Sequence, residues 1–401
     1  MTKHAPALEA AALQLSRDYC ENGPLPHLQL FISVNGEVML DRCFGRARAE
    51  GDPLQPDAIY RIASMTKPVA TVAFLMLVEE GLVSLDTPLA DILPEFRQVR
   101  IWTGGTDEKG ALATAPCERP IMLIDLLRHT AGFSYSFHGA TPIDQLYGER
   151  YLDSFHQRRT GREYAAALAE LPLQMTPGEC FHYSLATDLL GVVIEQIAGM
   201  PLDRFLEARI FEPLGMSDSF FVVPAGREDR LTDAWQWDGK GLPTLYDRGA
   251  HSRWRVEQKF YSAGGGLLST VQDYHRFLRM LMQGGELDGE RLVSREHVAL
   301  MLSNHLPGGG DLEEEGAAPV SETSQPGIGM GLGGAVILDP ARALATGSVG
   351  TYFWGGLLST GFFLDPPRQI IAIVMTQLMP SGMTNLREDF RRCVYAALRQ
   401  N

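Results

Sequence analysis

Residues 60–81 read YRIASMTKPVATVAFLMLVEEG. From Pro68 onward the stretch is almost continuously apolar, and it closes at Gly81. At that length it predicts a helix buried on most of its sides. The tetrad Ser64-Met65-Thr66-Lys67 opens that helix. Residues at i and i+3 share a helix face, so this hydroxyl and amine can meet. The helix N-terminus and the apolar surroundings both disfavour an ammonium. A neutral amine there can accept the serine proton, directly or through a relay. Lysine occurs only at positions 3, 67, 109, 240 and 259, and Lys67 alone has a serine three residues before it. The plain alternative is a serine N-cap followed by a solvated first-turn lysine. A lysine leading straight into so apolar a helix is hard to keep in water on all sides, which favours the chemical reading.

Outward from this helix, residues 6–21 predict an N-terminal helix with Leu8, Ala11, Ala12 and Leu15 on one face. LQLFISVNGEVMLDRCFG (28–45) alternates around Asn35-Gly36, a strong hairpin signal. From 96 to about 258, helical segments (Ile121–Leu127, Glu163–Leu171, Thr187–Ala198, Leu202–Ile210) alternate with loops rich in Gly, Pro and Trp, which predicts a mostly helical insertion. A helix over Val271–Gln283 follows. Residues 307–327 are acidic and rich in Gly, Pro and Ser, the composition of a mobile surface loop. GLGGAVIL (331–338), YFWGGLL (352–358), GFFLD (361–365) and QIIAIVMTQL (369–378) read as successive strands, and Thr384–Arg399 as a closing helix. Strands at both ends with helices between them predict an α+β fold whose single sheet draws on both termini. The expected division is a sheet domain from 1–95 and 259–401, a helical domain from 96–258, and a site between them.

The 401 residues are 45% apolar and 21% charged, which suits a folded globular enzyme. A net charge of −14 gives no basic nucleic-acid footprint, so no nucleic-acid partner is expected. Cys20, Cys43, Cys117, Cys180 and Cys393 are odd in number and widely spaced, as expected of reduced thiols rather than a disulfide framework or zinc site. The N-terminus shows no long apolar h-region, and the longest apolar stretch, near Val69–Val78, is too short to span a bilayer. A cytoplasmic protein with no membrane association is the expectation.

YRIASMTKPV, EEGLVSLDTPLADILPEF, LLRHTAGF (126–133), PGECFHYSLATDLLG (177–191) and SAGGGLLST (262–270) together resemble the serine β-lactamase and penicillin-binding-protein superfamily. The resemblance is closest to the class C-like branch that includes the family VIII carboxylesterases. Ser-x-x-Lys is a motif of that superfamily. The resemblance implies the β-lactamase/transpeptidase-like fold, with an antiparallel sheet flanked by helices. It also implies a Tyr-x-Asn or Tyr-x-Ser motif, or Tyr-Ser-Leu in the esterase branch, and Tyr183-Ser184-Leu185 fits, 119 positions after Ser64. A phenol beside a lysine cation loses its proton more easily than in water. Tyr183 in that role deprotonates Ser64 and later returns the proton to the leaving group; the alternative is a core tyrosine bonded to backbone.

The family's Lys-Thr-Gly strand motif is absent, since no lysine follows Lys259. Trp354-Gly355-Gly356 stands in the corresponding place, as in the family VIII esterases. The glycines let a strand edge approach substrate, and the Leu357 N–H can complete an oxyanion hole with that of Ser64. A tryptophan wall in place of a lysine favours neutral esters over carboxylates. Tyr135, after the RHTAG turn, is a candidate pocket residue. Trp235, Trp237, Tyr246 and Trp254 either shape an acyl or alcohol pocket or hold long loops together.

Other patterns carry less. Gly329-x-Gly331-x-x-Gly334 matches a dinucleotide fingerprint by letters but does not sit between a strand and a helix, so it belongs to strand packing. Gly-x-Ser-x-Gly is absent. His129 and His182 have no accompanying nucleophile signature, and a turn or packing role is expected. No metal motif and no cofactor are implied. The reading is a serine esterase acting on short-chain acyl esters through an acyl-enzyme on Ser64. The alternatives are an acyltransferase, a β-lactamase or D-amino-acid peptidase with the same Ser-Lys-Tyr chemistry, and a non-catalytic binding protein of the same fold.

Overall fold

The computed structural model describes residues 4–399 except 52, 154, 156, 317–325, 344 and 345. Residues 317–325 of the expected 307–327 loop lie outside the described residues; within its described part, Leu312–Glu315 forms one helical turn capped by the Asp311 carboxylate.

Helix α1 (Ala5–Ser16) leads into strands β1 (His27–Val34) and β2 (Glu37–Gly45). Asn35 and Gly36 join them with φ of 53° and 81°, the left-handed pair that a two-residue hairpin turn requires. Helix α2 is Thr66–Glu79, α3 is Ala186–Ala198 and α4 is Val271–Met282. The C-terminal part supplies β3 (Ile328–Met330), β4 (Ala335–Ile337), β5 (Tyr352–Gly355), β6 (Gly361–Asp365) and β7 (Ile370–Met375), then α5 (Leu386–Arg399).

These strands form one antiparallel sheet in the order β3-β4-β5-β6-β7-β1-β2. The N-terminal hairpin joins the C-terminal meander through β1–β7, with Leu30 opposite Val374. The sheet thus draws on both ends of the chain, as expected. Adjacent residues of a strand point to opposite faces. Phe362 meets Tyr274 of α4, ring centroids 5.4 Å apart, while Phe363 meets Tyr395 of α5 at 5.5 Å. Helices therefore cover both faces, which is why β1 and β7 are buried along almost their whole length. Helix α2 is buried from Thr66 through Leu77 and packs against α3, which explains its apolar character all round.

Two expectations change. GLGGAVIL is not one strand: Gly333 (φ 75°) turns the chain, and only Ala335–Ile337 continues, folded back on Ile328–Met330. Residues 96–258 contain hairpins as well as helices. Arg100–Thr106 pairs with Leu112–Pro116, and Ala234–Gln236 pairs both with Thr244–Asp247 and, in parallel, with Leu378–Met379. These strands are short and flanked by glycines, so no sustained period marks them.

Candidate active site

Ser64 lies in a 3-10 turn, Ala63–Met65, that runs directly into α2. Ala63 has φ of 45°, a left-handed conformation costing a non-glycine residue roughly 1 kcal/mol or more. The surroundings hold it there. Thr66 Oγ1 donates to Ala63 O at 2.7 Å, Tyr274 Oη to Met65 O at 2.9 Å, and Ile62 N to Leu267 O at 3.1 Å. The serine hydroxyl is thereby fixed at the N-terminal end of a buried helix, where the dipole favours negative charge.

Lys67 Nζ lies 3.1 Å from Ser64 Oγ, 3.3 Å from Tyr135 Oη and 2.6 Å from the Gly264 carbonyl oxygen. The lysine is fully buried. Tyr183 Oη is hydrogen-bonded to Ser64 Oγ at 2.8 Å, and Lys67 Nζ sits 4.9 Å from the Tyr183 ring centroid. The Tyr183 ring is boxed by His129 (4.8 Å), Tyr135 (5.3 Å) and Trp354 (5.5 Å), and the Tyr183 carbonyl accepts from His138 Nε2 at 2.8 Å. Burial, reinforced by Tyr183, pushes the Tyr135 phenol well above its ordinary range. Tyr135 therefore stays protonated and serves as a fixed neighbour of the lysine rather than a base.

One part of this frame gave no role to sequence reasoning. Asp188, in the first turn of α3, is buried; its Oδ1 accepts from Ser262 Oγ at 2.5 Å and from Gly264 N at 3.2 Å. Burial pushes its carboxyl up, and the Lys67 cation with the Ser262 and Gly264 donors opposes that push. A Cβ on Gly264 would lie 2.5 Å from Asp188 Oδ2, so only glycine fits. The carboxylate thus holds the loop whose carbonyl grips Lys67. The available signal was an acid in the first turn of a mostly apolar helix, five residues after Tyr183.

Trp354 and Gly355 end β5, and Gly356 follows. Gly356 abuts the serine turn: a Cβ there would lie 2.5 Å from Ile62 O and 3.2 Å from Ala63 Cβ. The next peptide N–H, that of Leu357, is the donor in no hydrogen bond among the described residues. Ser64, Tyr135, Tyr183 and Trp354–Leu357 line one cavity of about 740 Å³, with Leu152, Phe155 and Phe260 adding apolar wall. Arg387 of α5 reaches the same place, and Arg387 Nη2 donates to the Gly356 carbonyl.

The histidines are structural in geometry. His129 sits in a turn with φ of 56°, and its Nδ1 accepts from Ser184 N at 3.3 Å. Burial, with Lys67 and His182 nearby, holds it well below its usual range, hence neutral. His182 Nε2 meets Ser134 Oγ at 3.0 Å, but Asp144 accepts from that serine rather than from the imidazole, so no Ser-His-Asp relay exists there. Trp235, Trp237, Tyr246 and Trp254 do not line the cavity. Trp254 instead stacks under Arg61 at 5.0 Å and donates to Gly266 O, holding loops together. Gly329, Gly331 and Gly334 pack in and beside strands; a Cβ on Gly334 would meet Tyr352 Oη at 2.6 Å. Among the described residues no group of three His, Cys, Asp or Glu side chains is placed to hold a metal ion, and no helix is long and apolar enough to cross a membrane.

A family model described as Beta-lactamase matches residues 14–396. An uncharacterized protein of Mycobacterium tuberculosis is 36% identical over 339 residues, covering 82% of this chain and 80% of that protein. Esterase EstB of Burkholderia gladioli is 30% identical over 412 residues, 97% of each chain. The solved structure of EstCE1, described as a hydrolase with promiscuous acyltransferase activity, matches with a TM-score of 0.81 at 25% identity, covering 98% of this chain and 100% of that one.

Proposed function

The chain belongs to the Beta-lactamase family, among its serine hydrolases and acyltransferases, and from that premise we propose that it is a carboxylesterase cleaving short-chain acyl esters. The observation that carries this reading is the meeting of Ser64 Oγ with Tyr183 Oη at 2.8 Å and Lys67 Nζ at 3.1 Å beside a cavity of about 740 Å³. Ser64 Oγ attacks the ester carbonyl while its proton passes to Tyr183, which enters this step as a phenolate stabilised by the Lys67 cation beside it. The oxyanion is stabilised by the N–H groups of Ser64 and Leu357. Tyr183 then protonates the departing alcohol, leaving an acyl-enzyme on Ser64. Water attacks that ester, giving its proton to Tyr183, which passes it to Ser64 Oγ as the acid departs. The Trp354 indole supplies an apolar wall where an anion-binding lysine would favour carboxylates, so neutral esters suit the cavity. The five cysteines are free, which supports a reducing, cytoplasmic setting.

A second reading, acyl transfer, shares every step to the acyl-enzyme and differs in the acceptor. It is favoured by the acyltransferase activity described for EstCE1 and by a cavity within the range of roughly 300–1,000 Å³ that encloses drug-sized ligands. The test is mass spectrometry of the wild type and Ser64→Ala after p-nitrophenyl butyrate and a fluorophosphonate, with nitrophenol release in parallel. Turnover with one adduct on Ser64 supports the reading. A folded wild type with neither sinks it. Competing alcohols in the same assay divide the readings: ester products mean transfer, acid alone means hydrolysis. Nitrocefin tests lactam cleavage.

A further inference from the structure

The peptide unit joining Gly356 to Leu357 has two polar ends. Its N–H is the donor assigned above to the oxyanion. Its carbonyl oxygen accepts from Arg387 Nη2. We propose that Arg387 is a positioning residue for the reaction, its guanidinium fixing and polarising the Gly356–Leu357 peptide so that the N–H meets the developing oxyanion. This rests on the reading of Leu357 as an oxyanion donor.

The backbone is shaped around this arginine. Gly355 and Gly361 face each other across β5 and β6. A Cβ on Gly355 would lie 2.3 Å from Arg387 Cζ, and one on Gly361 would lie 3.1 Å from Cδ. The paired glycines form a notch through which the side chain passes to the far side of the turn. Gly355 is thus small for the arginine, whereas Gly356 is small for the serine turn. The residue is partly exposed as a whole, yet its Nε is sealed from solvent. Burial pulls the guanidinium down to about 9, against the opposing influence of Tyr183, and Arg391 adds to the pull. It remains a cation at neutral pH.

The physical effect follows from the peptide's resonance. A charged donor on the carbonyl is roughly twice as strong as a neutral one. Hydrogen bonds in a chain polarise one another, here strengthening the N–H as a donor. A donor fixed before reaction also avoids reorganisation as charge develops. Because the bond acts on the transition state, its loss should lower kcat rather than raise KM.

The experiment compares wild type, Arg387→Met, Arg387→Lys and Gly355→Ala on the neutral ester p-nitrophenyl butyrate. It also records the 31P resonance of the fluorophosphonate adduct on Ser64, whose phosphoryl oxygen occupies the oxyanion position. Arg387→Met should lower kcat on the order of 10- to 100-fold, short of the ~10²–10³ for deleting a donor outright, with KM little changed. Its 31P resonance should move toward that of the unfolded adduct. Arg387→Lys should recover most of both. Gly355→Ala, which drives the guanidinium off Gly356, should reproduce the kcat loss and add nothing to Arg387→Met. If Arg387→Met does not fold, the Lys and Gly355→Ala variants make the same comparison. Unchanged kcat and an unchanged 31P resonance in folded variants would overturn the proposal, and would be the outcome if the arginine served only to bind acidic substrates. A wild-type adduct whose resonance does not differ between folded and unfolded protein would instead remove the oxyanion reading of Leu357 itself.

Discussion

The Gly264 carbonyl oxygen lies 2.6 Å from Lys67 Nζ, the shortest polar contact the lysine makes. A carbonyl only accepts, so one lysine hydrogen is committed to it in either protonation state. A neutral amine has a second hydrogen for Tyr135 Oη and a lone pair for Ser64; an ammonium adds a third hydrogen toward Ser64. The lysine can therefore take up or release a proton without changing its partners. Lys67→Ala should lower kcat for p-nitrophenyl butyrate by about 10³-fold or more, near the upper range for a general acid-base group. Lys67→Arg should give no rescue, because a planar guanidinium neither fits three converging partners nor deprotonates. Recovery of more than a tenth of wild-type kcat by arginine would refute the assignment.

Tyr183 Oη is the only other polar side-chain atom bonded to Ser64 Oγ among the described residues. Tyr183→Phe keeps the ring contacts with His129, Tyr135 and Trp354 and removes only the hydroxyl. Its kcat should fall by about 10²- to 10⁴-fold with an unchanged melting temperature. Tyr135→Phe removes a phenol that stays protonated and, among the described residues, bonds only to the lysine, so the loss should be about 2- to 10-fold, the equivalent of one hydrogen bond. Equal losses in the two variants, measured by steady-state kinetics, would contradict the separate roles.

Local signals made the hairpin and α2 legible. Asn35-Gly36 demands its turn, and the Ser-x-x-Lys spacing follows from helix geometry alone. Tyr183 was found by resemblance, since nothing local marks a tyrosine 119 residues away as a partner of Ser64. Asp188 and Arg387 were not assigned roles, for a common reason. Each acts on a distant loop at least in part through a backbone atom, Gly264 N or Gly356 O, and backbone partners leave no residue-type signature. The meaning of the glycines was half legible. That Gly355 and Gly356 permit close approach could be read; that one admits an arginine and the other the serine turn needs coordinates. The strand break at Gly333 was missed because GLGGAVIL is apolar throughout, and the turn rests on backbone conformation rather than polarity.

Asp188 should couple stability to activity. Asp188→Ala leaves Ser262 Oγ and Gly264 N without their buried acceptor, at a cost of about 1–3 kcal/mol for each group. It also frees the loop that carries the Gly264 carbonyl. Urea unfolding should show that loss, and kcat should fall together with it. Asp188→Asn keeps an acceptor oxygen of the same shape, so it should retain most of the stability while losing the charge that faces Lys67. If Asp188→Ala unfolds at the wild-type urea midpoint, the carboxylate is not holding the loop.

Each buried group gives the pH dependence of stability a contribution of determined sign. His27, His182 and His275 are buried, and burial brings each down from the ordinary 6.5 to about 4. His138 adds to the lowering at His182, and Arg279 and Arg276 add to it at His275, while the Arg46 carbonyl opposes it at His27. Between those values the unfolded chain holds a proton on each that the folded chain does not. Stability therefore rises with pH across this window and is lost as pH falls from 6.5 toward 4, by up to about 1.4 kcal/mol per pH unit for each histidine. Asp273 works the other way. Burial brings its carboxyl up to about 6, so the folded state takes its proton first and gains stability on acidification between 6 and 3.8. The histidines thus weaken the fold on acidification, and Asp273 offsets part of that loss. His275→Gln isolates one of them, because glutamine can still bond Ser33 Oγ, the 3.0 Å partner of the His275 Nε2. Urea unfolding at pH 6.5, 5.5 and 4.5 should give a shallower decline for His275→Gln than for the wild type, with the curves converging toward low pH. Parallel declines would mean that His275 takes its proton in the folded state as readily as in the unfolded one.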